Sequence, residues 1–279
     1  MKIIDGKALA ARLRGELKEK LEKSGKEVGL AVVIVGDNPA SKIYVRNKVK
    51  ACAEVGIRSY SYELPADTAQ EDLESLLEQL GGDEKINGIL LQLPLPEGLD
   101  SAAALKKIPR EKDVDGFSAE NLGRLALHEE KIAACTPLGI MKILESEGIS
   151  PAGKHAVVLG RSATVGKPMA LLLLNADATV TVCHSKTRGI REICRCADIL
   201  ISAVGKPKFV TADMVKEGAV VIDVGMNRSE SGKLCGDVDY ENVKDKTSYI
   251  TPVPGGVGPM TIACLMENTV ECFLRKMER

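Results

Sequence analysis

Apolar and polar positions alternate along the chain in two successive blocks. In the first, Ala8, Leu13, Leu17 and Leu21 stand near helical spacing and predict a helix over residues 6–24. The unbroken apolar run Leu30–Val35 ends in Gly36-Asp37-Asn38-Pro39, which predicts a buried strand and a turn. Ser41 is placed as the N-cap of a helix over 42–55, ended by Gly56. A strand over 57–64, a helix over 69–80 closed by Gly81-Gly82, a strand over 86–93 and a short helix over 101–108 follow. The order β-α-β-α-β-α predicts a parallel sheet.

Residues 109–137 are polar and turn-rich and read as a crossing between domains. The second block then runs helix 137–148, strand 156–159, helix 166–175, strand 179–183, helix 188–196 and strands 199–204 and 219–224. A long helix over 260–277 follows Gly255-Gly256, with Pro259 near its first position, and is placed to pack back on the first domain. The expectation is α/β: two parallel-sheet domains flanking a cleft. Residues 1–136 form the first, with 258–279 returning to it; residues 137–257 form a Rossmann-type second domain.

Composition sharpens this picture. The 279 residues carry 38 Lys and Arg against 39 Asp and Glu, a net charge of −1, without the basic surplus of a nucleic-acid or membrane-surface protein. Aromatics are only 3%, so the core is to be built from Val, Ile, Leu and Ala, which suits buried parallel strands. No apolar run approaches the roughly 18 residues of a membrane span. Asp5 interrupts what a signal peptide would continue, so a cytoplasmic location is expected. The eight Cys form no C-x-x-C pair and the three His are scattered; the thiols read as reduced, mostly small core residues, and no metal site is assigned.

The strongest local feature is strand 156–159 running into Gly160-Arg161-Ser162-Ala163-Thr164-Val165-Gly166-Lys167-Pro168 and a helix. Such a turn lets backbone N–H groups approach a phosphate, although a plain βα turn has the same outline. It is neither G-x-G-x-x-G nor a P-loop, because five residues separate its glycines. After the next strand, where an NAD site offers a carboxylate to the ribose, the chain has Ser185, Lys186 and Arg188. With Arg161 these match a 2′-phosphate, hence NADP over NAD; the alternative is a solvated surface. In the first domain Tyr44 and Lys48 share a helix face, although a helical Lys is commonly a solvated tail. Gln92 is a polar residue in an apolar run near a strand's carboxyl end, where parallel sheets bind ligands. Lys112-Asp113-Val114-Asp115-Gly116-Phe117 offers two carboxylates in a turn, too few for a metal. Thr251–Thr261 is a glycine-rich stretch that either approaches a ligand closely or serves as a rigid interdomain turn.

Together, Val35–Ser41, Tyr44-Val-Arg-Asn-Lys48, Gln92-Leu-Pro-Leu-Pro96, Lys112-Asp-Val-Asp-Gly116, Cys135-Thr-Pro137, Gly160-Arg-Ser162 and Pro254–Thr261, in this order, carry a resemblance over nearly the whole chain. The chain resembles the bifunctional methylenetetrahydrofolate dehydrogenase/methenyltetrahydrofolate cyclohydrolase family. The resemblance implies NADP-dependent oxidation of 5,10-methylenetetrahydrofolate, hydrolysis to 10-formyltetrahydrofolate, a role in one-carbon metabolism, and a homodimer. It implies folate-site roles for Tyr44, Lys48, Gln92 and Asp115, with Lys48 the key cyclohydrolase residue, and a folate-side loop of Pro254, Gly255 and Gly256. It gives Gly160, Arg161, Ser162 and Ser185 to the NADP site, together with Met226, which stands where many members have Ile. Competing readings are a monofunctional dehydrogenase of the same family, a Rossmann dehydrogenase for another small substrate, and a nucleotide-binding regulatory module. The last lacks a reason for the second polar set around Lys48, and pterin quenching or protection separates the second from a folate enzyme.

Overall fold

The computed structural model describes residues 1–229 and 232–277. Its elements are β1 (Lys2–Ile3), α1 (Gly6–Ser24), β2 (Val28–Val35), α2 (Pro39–Val55), β3 (Ile57–Leu64), α3 (Gln70–Gly82), β4 (Gly88–Leu91), α4 (Ser101–Leu105), α5 (Ala119–Ala126) and α6 (Cys135–Ser146). They continue with β5 (His155–Leu159), α7 (Gly166–Asn175), β6 (Thr179–Cys183), α8 (Ile190–Cys194), β7 (Ile199–Ser202), β8 (Ala219–Asp223), β9 (Asn227–Arg228), β10 (Leu234–Cys235), α9 (Tyr240–Val243), β11 (Thr247–Ile250) and α10 (Val257–Met277). The chain divides into two compact units, Ala11–Cys135 with Ile262–Arg279, and Met1–Ala10 with Thr136–Thr261.

In the first of these units the sheet has three parallel strands in the order β3-β2-β4. All eight residues of the central strand β2 are buried, which is why its sequence is an unbroken apolar run rather than an alternation. Leu73, Leu77 and Leu80 of α3 repeat at helical spacing and close over Ala31, Val33, Ile89 and Leu91. Each such leucine contributes about 1.5–3 kcal/mol on burial. Helix α2 begins three residues earlier than Ser41 predicts. Asn38 is the cap, accepting N–H bonds from Ala40 and Ser41, with Pro39 in the first turn. The stretch expected as a crossing contains a further helix, α5, capped by the Ser118 hydroxyl. Helix α10 belongs to this unit from Ile262 onward, and buried Asn268 ties it to the Val114 and Ala133 carbonyls at 2.8 and 2.9 Å.

The other unit holds a six-stranded parallel sheet ordered β1-β11-β8-β7-β5-β6. From β5 the chain winds through α7 to β6 on one side, then through α8 to β7 on β5's other side. The winding therefore reverses between β5 and β7, and their carboxyl ends form the switch point where doubly wound sheets bind ligands. Residues 1–10, expected with the first domain, belong here. Lys2 and Ile3 pair with Tyr249 and Ile250, and Ile4, 1% exposed, donates its N–H to the Ile250 carbonyl. The pairing partner lies some 247 residues away, which no local pattern reveals. Helix α10 also starts at Val257 rather than 260. Among the described residues no helix is long and apolar enough to cross a membrane, and every cysteine is a free thiol.

Candidate functional site

The three-stranded unit gathers its polar residues at the carboxyl end of β4. Gln92 leaves that strand with its N–H on the Val33 carbonyl at 2.8 Å. Its half-buried side chain accepts a hydrogen bond from Lys48 Nζ at 3.0 Å through Oε1, and donates through Nε2 to the Leu93 carbonyl. Lys48 and Tyr44 lie one turn apart on α2, both half-buried. Helix α2 thus delivers an amine to a fixed amide acceptor.

Asp115 arrives by a different route. Asp113 pairs with Ile89 as an isolated parallel bridge, so the segment runs beside β4. The Asp113 carboxylate, 3% exposed, accepts N–H bonds from Gly116 (3.0 Å), Phe117 (3.2 Å), Ser118 (2.7 Å) and Asn121 Nδ2 (3.0 Å). Gly116 has φ +70°, and a Cβ there would lie 2.7–2.8 Å from the Ala133–Ala134 backbone. The turn is thereby locked, and Asp115 is left with its carboxyl available. Burial pushes that carboxyl up to about 6 and Asp113 adds to the push, while the Lys48 ammonium pulls it down. Lys48, Gln92 and Asp115 therefore form one group, with Tyr44 on the same helix face as Lys48. Cys135, whose thiol donates to the Val114 carbonyl at 3.2 Å, is held far above the usual thiol range by burial and by Asp115. Among the described residues no three His, Cys, Asp or Glu side chains are grouped to hold a metal.

In the six-stranded unit the turn Gly160–Gly166 stands at the switch point. Gly160 N–H bonds to the Cys183 carbonyl and Ala203 N–H to the Leu159 carbonyl, both at 2.8 Å. Gly160 has φ +117°, and a Cβ on it would fall 2.3 Å from the Ala203 carbonyl oxygen. A Cβ on Gly166 would meet the Gly160 carbonyl at 2.2 Å, so the turn closes on itself only with glycine at both places. Ser162 accepts N–H bonds from Val165 and Gly166 at 3.1 and 3.3 Å, which ties the turn down ahead of α7 and keeps the hydroxyl proton free to donate. Arg161, Ser185, Lys186 and Arg188 are exposed, and Met226 is 46% exposed after β8. The cradle and its cations fit a dinucleotide bearing an extra phosphate. Pro254, Gly255 and Gly256 belong to this unit as well; the Gly256 N–H bonds to the Pro252 carbonyl at 2.9 Å, and Pro254 is exposed.

Four residues that hold the sites in shape carry roles the sequence does not show. Asp113 is the holder of the turn rather than a partner of Asp115 in chemistry, and the Asp-x-x-Gly spacing of an Asx turn is its only local mark. Asn268 is one polar residue within a helix. Asp237 accepts N–H bonds from Val204 (2.7 Å), Gly205 (3.2 Å) and Lys206 (3.0 Å) at the end of β7, and Asp223 binds the N–H groups of Gly225, Asp237 and Val238, each at 2.9 Å. The pair orders the loops at the switch point.

Comparison with known proteins adds a relation. Residues 4–115 match the family described as "Tetrahydrofolate dehydrogenase/cyclohydrolase, catalytic domain", and residues 134–277 match "Tetrahydrofolate dehydrogenase/cyclohydrolase, NAD(P)-binding domain". The bifunctional protein FolD of Caldicellulosiruptor saccharolyticus is 59% identical over 269 residues, 94% of this chain and 96% of that protein. The crystal structure of the bifunctional enzyme FolD, a methylenetetrahydrofolate dehydrogenase/cyclohydrolase from Campylobacter jejuni, superposes with a TM-score of 0.97 at 52% identity, covering 99% of each chain. The Trypanosoma brucei methylenetetrahydrofolate dehydrogenase-cyclohydrolase, complexed with NADP and inhibitor, gives a TM-score of 0.95 at 42% identity, covering 100% of this chain and 99% of that one.

Proposed function

The chain belongs to the tetrahydrofolate dehydrogenase/cyclohydrolase family, and we propose that it oxidises 5,10-methylenetetrahydrofolate with NADP and hydrolyses the methenyl product to 10-formyltetrahydrofolate. The observation that carries the division of roles is the 3.0 Å bond from Lys48 Nζ to Gln92 Oε1, beside Asp115. Bound NADP supplies the hydride acceptor. The Gly160–Gly166 turn and the Ser162 hydroxyl receive the cofactor's phosphates, Arg161 and Ser185 its 2′-phosphate, and Met226 offers an apolar contact.

Loss of hydride leaves a cation shared between the one-carbon bridge and its flanking nitrogens. Lys48 takes a proton from the water that attacks this carbon. Lys48 returns that proton to the ring nitrogen as its bond to the carbon opens, the carbinol hydroxyl proton leaves to solvent as the C=O forms, and the formyl group stays on the other nitrogen. Gln92 orients the amine, Tyr44 packs on the substrate, and Asp115 accepts paired N–H bonds from the guanidine-like edge of the pterin. The Pro254–Gly256 loop gives the folate a backbone surface. Apart from that loop, the substrate role goes to the three-stranded unit and the cofactor role to the six-stranded one. Family membership also supports a cytoplasmic homodimer acting on a small molecule rather than on nucleic acid or a membrane. Light scattering at about twice the 29.8 kDa chain mass checks the dimer.

The test is an assay of methylenetetrahydrofolate with NADP, then NAD, following NADPH and the methenyl absorbance together. Lys48→Met is expected to abolish hydrolysis, so that methenyl product accumulates while substantial NADP reduction continues. Undiminished hydrolysis in that variant removes Lys48 from the base role.

A further inference from the structure

The same turn that carries Asp115 has a second face. Behind it, at the amino end of β4, lies a cavity of about 400 Å³ whose lining includes Asn87 and Gly81. Gln92 leaves the other end of the strand, five residues on and roughly 16 Å away at about 3.3 Å per residue. The cavity is therefore separate from the Lys48 group.

Its walls carry six cations, Arg110, Lys112, Arg124, Lys131, Arg275 and Lys276, against the single carboxylate of Glu111. The arginines are already engaged: Arg110 and Arg124 with Glu120, and Arg275 with Glu271 at 2.8–2.9 Å. The lysines are different. Among the described residues, Lys112, Lys131 and Lys276 make no ion pair. Lys112 donates only to the Leu80 and Asp83 carbonyls, at 3.2 and 2.7 Å, and Lys276 only to the Glu84 carbonyl at 3.2 Å. Burial holds the Lys112 ammonium below its ordinary range, and Lys276 lowers it further, against the opposing pull of Asp83 and Glu84. Two like charges are thus kept side by side at the cavity wall, tethered by backbone oxygens, with Asp83 and Glu84 near enough to act on Lys112 but in no ion pair with it. An arrangement that destabilises the empty site is compensated when a multiply charged anion binds. Pro109, Ile132 and Cys272 supply apolar surface between the cations.

The walls are continuous with the catalytic turn. Arg110 and Lys112 lead directly into Asp113, and Asn121 spans the Arg110 carbonyl and the Asp113 carboxylate. We propose that this cavity is an effector site for a small polyphosphate anion, coupled to Asp115 through the turn that Asp113 holds together. Phosphate groups suit it because lysine and arginine donors spread over this volume match a chain of charged oxygens better than a single carboxylate. By linkage, an anion that alters this turn alters folate affinity, and folate alters anion affinity equally. The coupling rests on the folate role proposed for Asp115; the anion site does not.

The test is calorimetric titration of the full chain with inorganic triphosphate at constant ionic strength, with NADP saturating so that its own phosphate cradle is filled. One site per chain is expected, with affinity at least tenfold weaker in Lys276→Glu and in Lys131→Glu, both exposed positions, and unchanged in Arg161→Ala. Absence of saturable binding, or equal affinity in the charge-reversed variants, overturns the site. ATP run beside triphosphate separates a nucleotide effector, which binds tighter, from a bare polyphosphate, which binds equally. Saturating triphosphate is further expected to shift the KM for methylenetetrahydrofolate at least twofold, where sodium chloride of the same ionic strength does not. Bound triphosphate with an unmoved KM overturns the coupling. An Asp115→Asn variant with unchanged KM instead overturns the folate role and leaves the calorimetric result intact.

Discussion

Two carboxylates two residues apart do opposite work. Asp113 spends its oxygens on four N–H donors and shapes the turn, whereas Asp115 is held beside Lys48 with its carboxyl raised to about 6. The folded chain binds the Asp115 proton more tightly than the unfolded chain, whose value is near 3.8. The stabilisation this gives is full below pH 3.8 and is lost as pH rises through about 6. Asp223, also raised to about 6 by burial, acts in the same direction. Under the folate role proposed for Asp115, substrate binding runs the other way, because the ionised carboxylate is the form that accepts pterin N–H groups. The KM for methylenetetrahydrofolate is expected to fall as pH rises through about 6. In Asp115→Asn this dependence is expected to flatten at a higher KM. KM measured from pH 5 to 8 checks it, and an unaltered pH profile in the variant counts against Asp115.

Among the elements, the β5–α7 turn has little freedom. Gly160→Ala places a methyl 2.3 Å from the Ala203 oxygen at a φ of +117°, so either the turn or the end of β7 must shift. NADP affinity is expected to fall at least tenfold while methenyl hydrolysis is retained, as read by cofactor titration and a hydrolysis assay. Arg161→Ala leaves the turn's backbone intact and removes one cation. It is expected to raise the KM for NADP far more than that for NAD, and an equal effect on both would remove the 2′-phosphate role. Helix α2 teaches a related point. Asn38 caps it because an Asn side chain reaches the N–H groups two and three residues on, and Pro39 brings a preset φ. Ser41 has the right chemistry one turn too late and is buried instead.

At the scale of the molecule, each unit is assembled from two stretches of chain. The first ten residues complete the six-stranded sheet, and α10 from Ile262 onward completes the three-stranded unit. Ile4 is 1% exposed beside β11, so Ile4→Ala is expected to cost about 2–5 kcal/mol. Chemical unfolding measures the loss. Hydrogen exchange is expected to quicken at amides of β11 and β8 and to leave β2 unchanged; quickening confined to β2 would contradict the pairing. The near-neutral balance of 38 cations and 39 acids conceals local excess, as the six cations around the cavity behind Asp113 show. A chain with no Trp and only eight Phe and Tyr builds both cores from Val, Ile, Leu, Ala, Met and Cys.

Much of this was legible beforehand. Buried parallel strands are covered on both faces, so β2, β5, β7 and β8 appear as continuous apolar runs, and α3 shows its leucines at helical spacing. The polar residues Tyr44, Lys48, Gln92 and Asp115 stand out against such runs, and the ordered motifs identify the family. By itself, then, the sequence determined the α/β class, the parallel order of its main strands and the residues to suspect. Only the tertiary structure decided that Lys2–Ile3 is a strand, that residues 1–10 join the six-stranded sheet, that Asn268 braces the Asp115 turn, and that one of two neighbouring aspartates is scaffold. Each of these depends on a partner far along the chain or on which hydrogen bonds are already taken. Periodicity reports only how a segment meets its own neighbours; a two-residue strand has no period, and a carboxylate carries no local mark of the donors that fold around it.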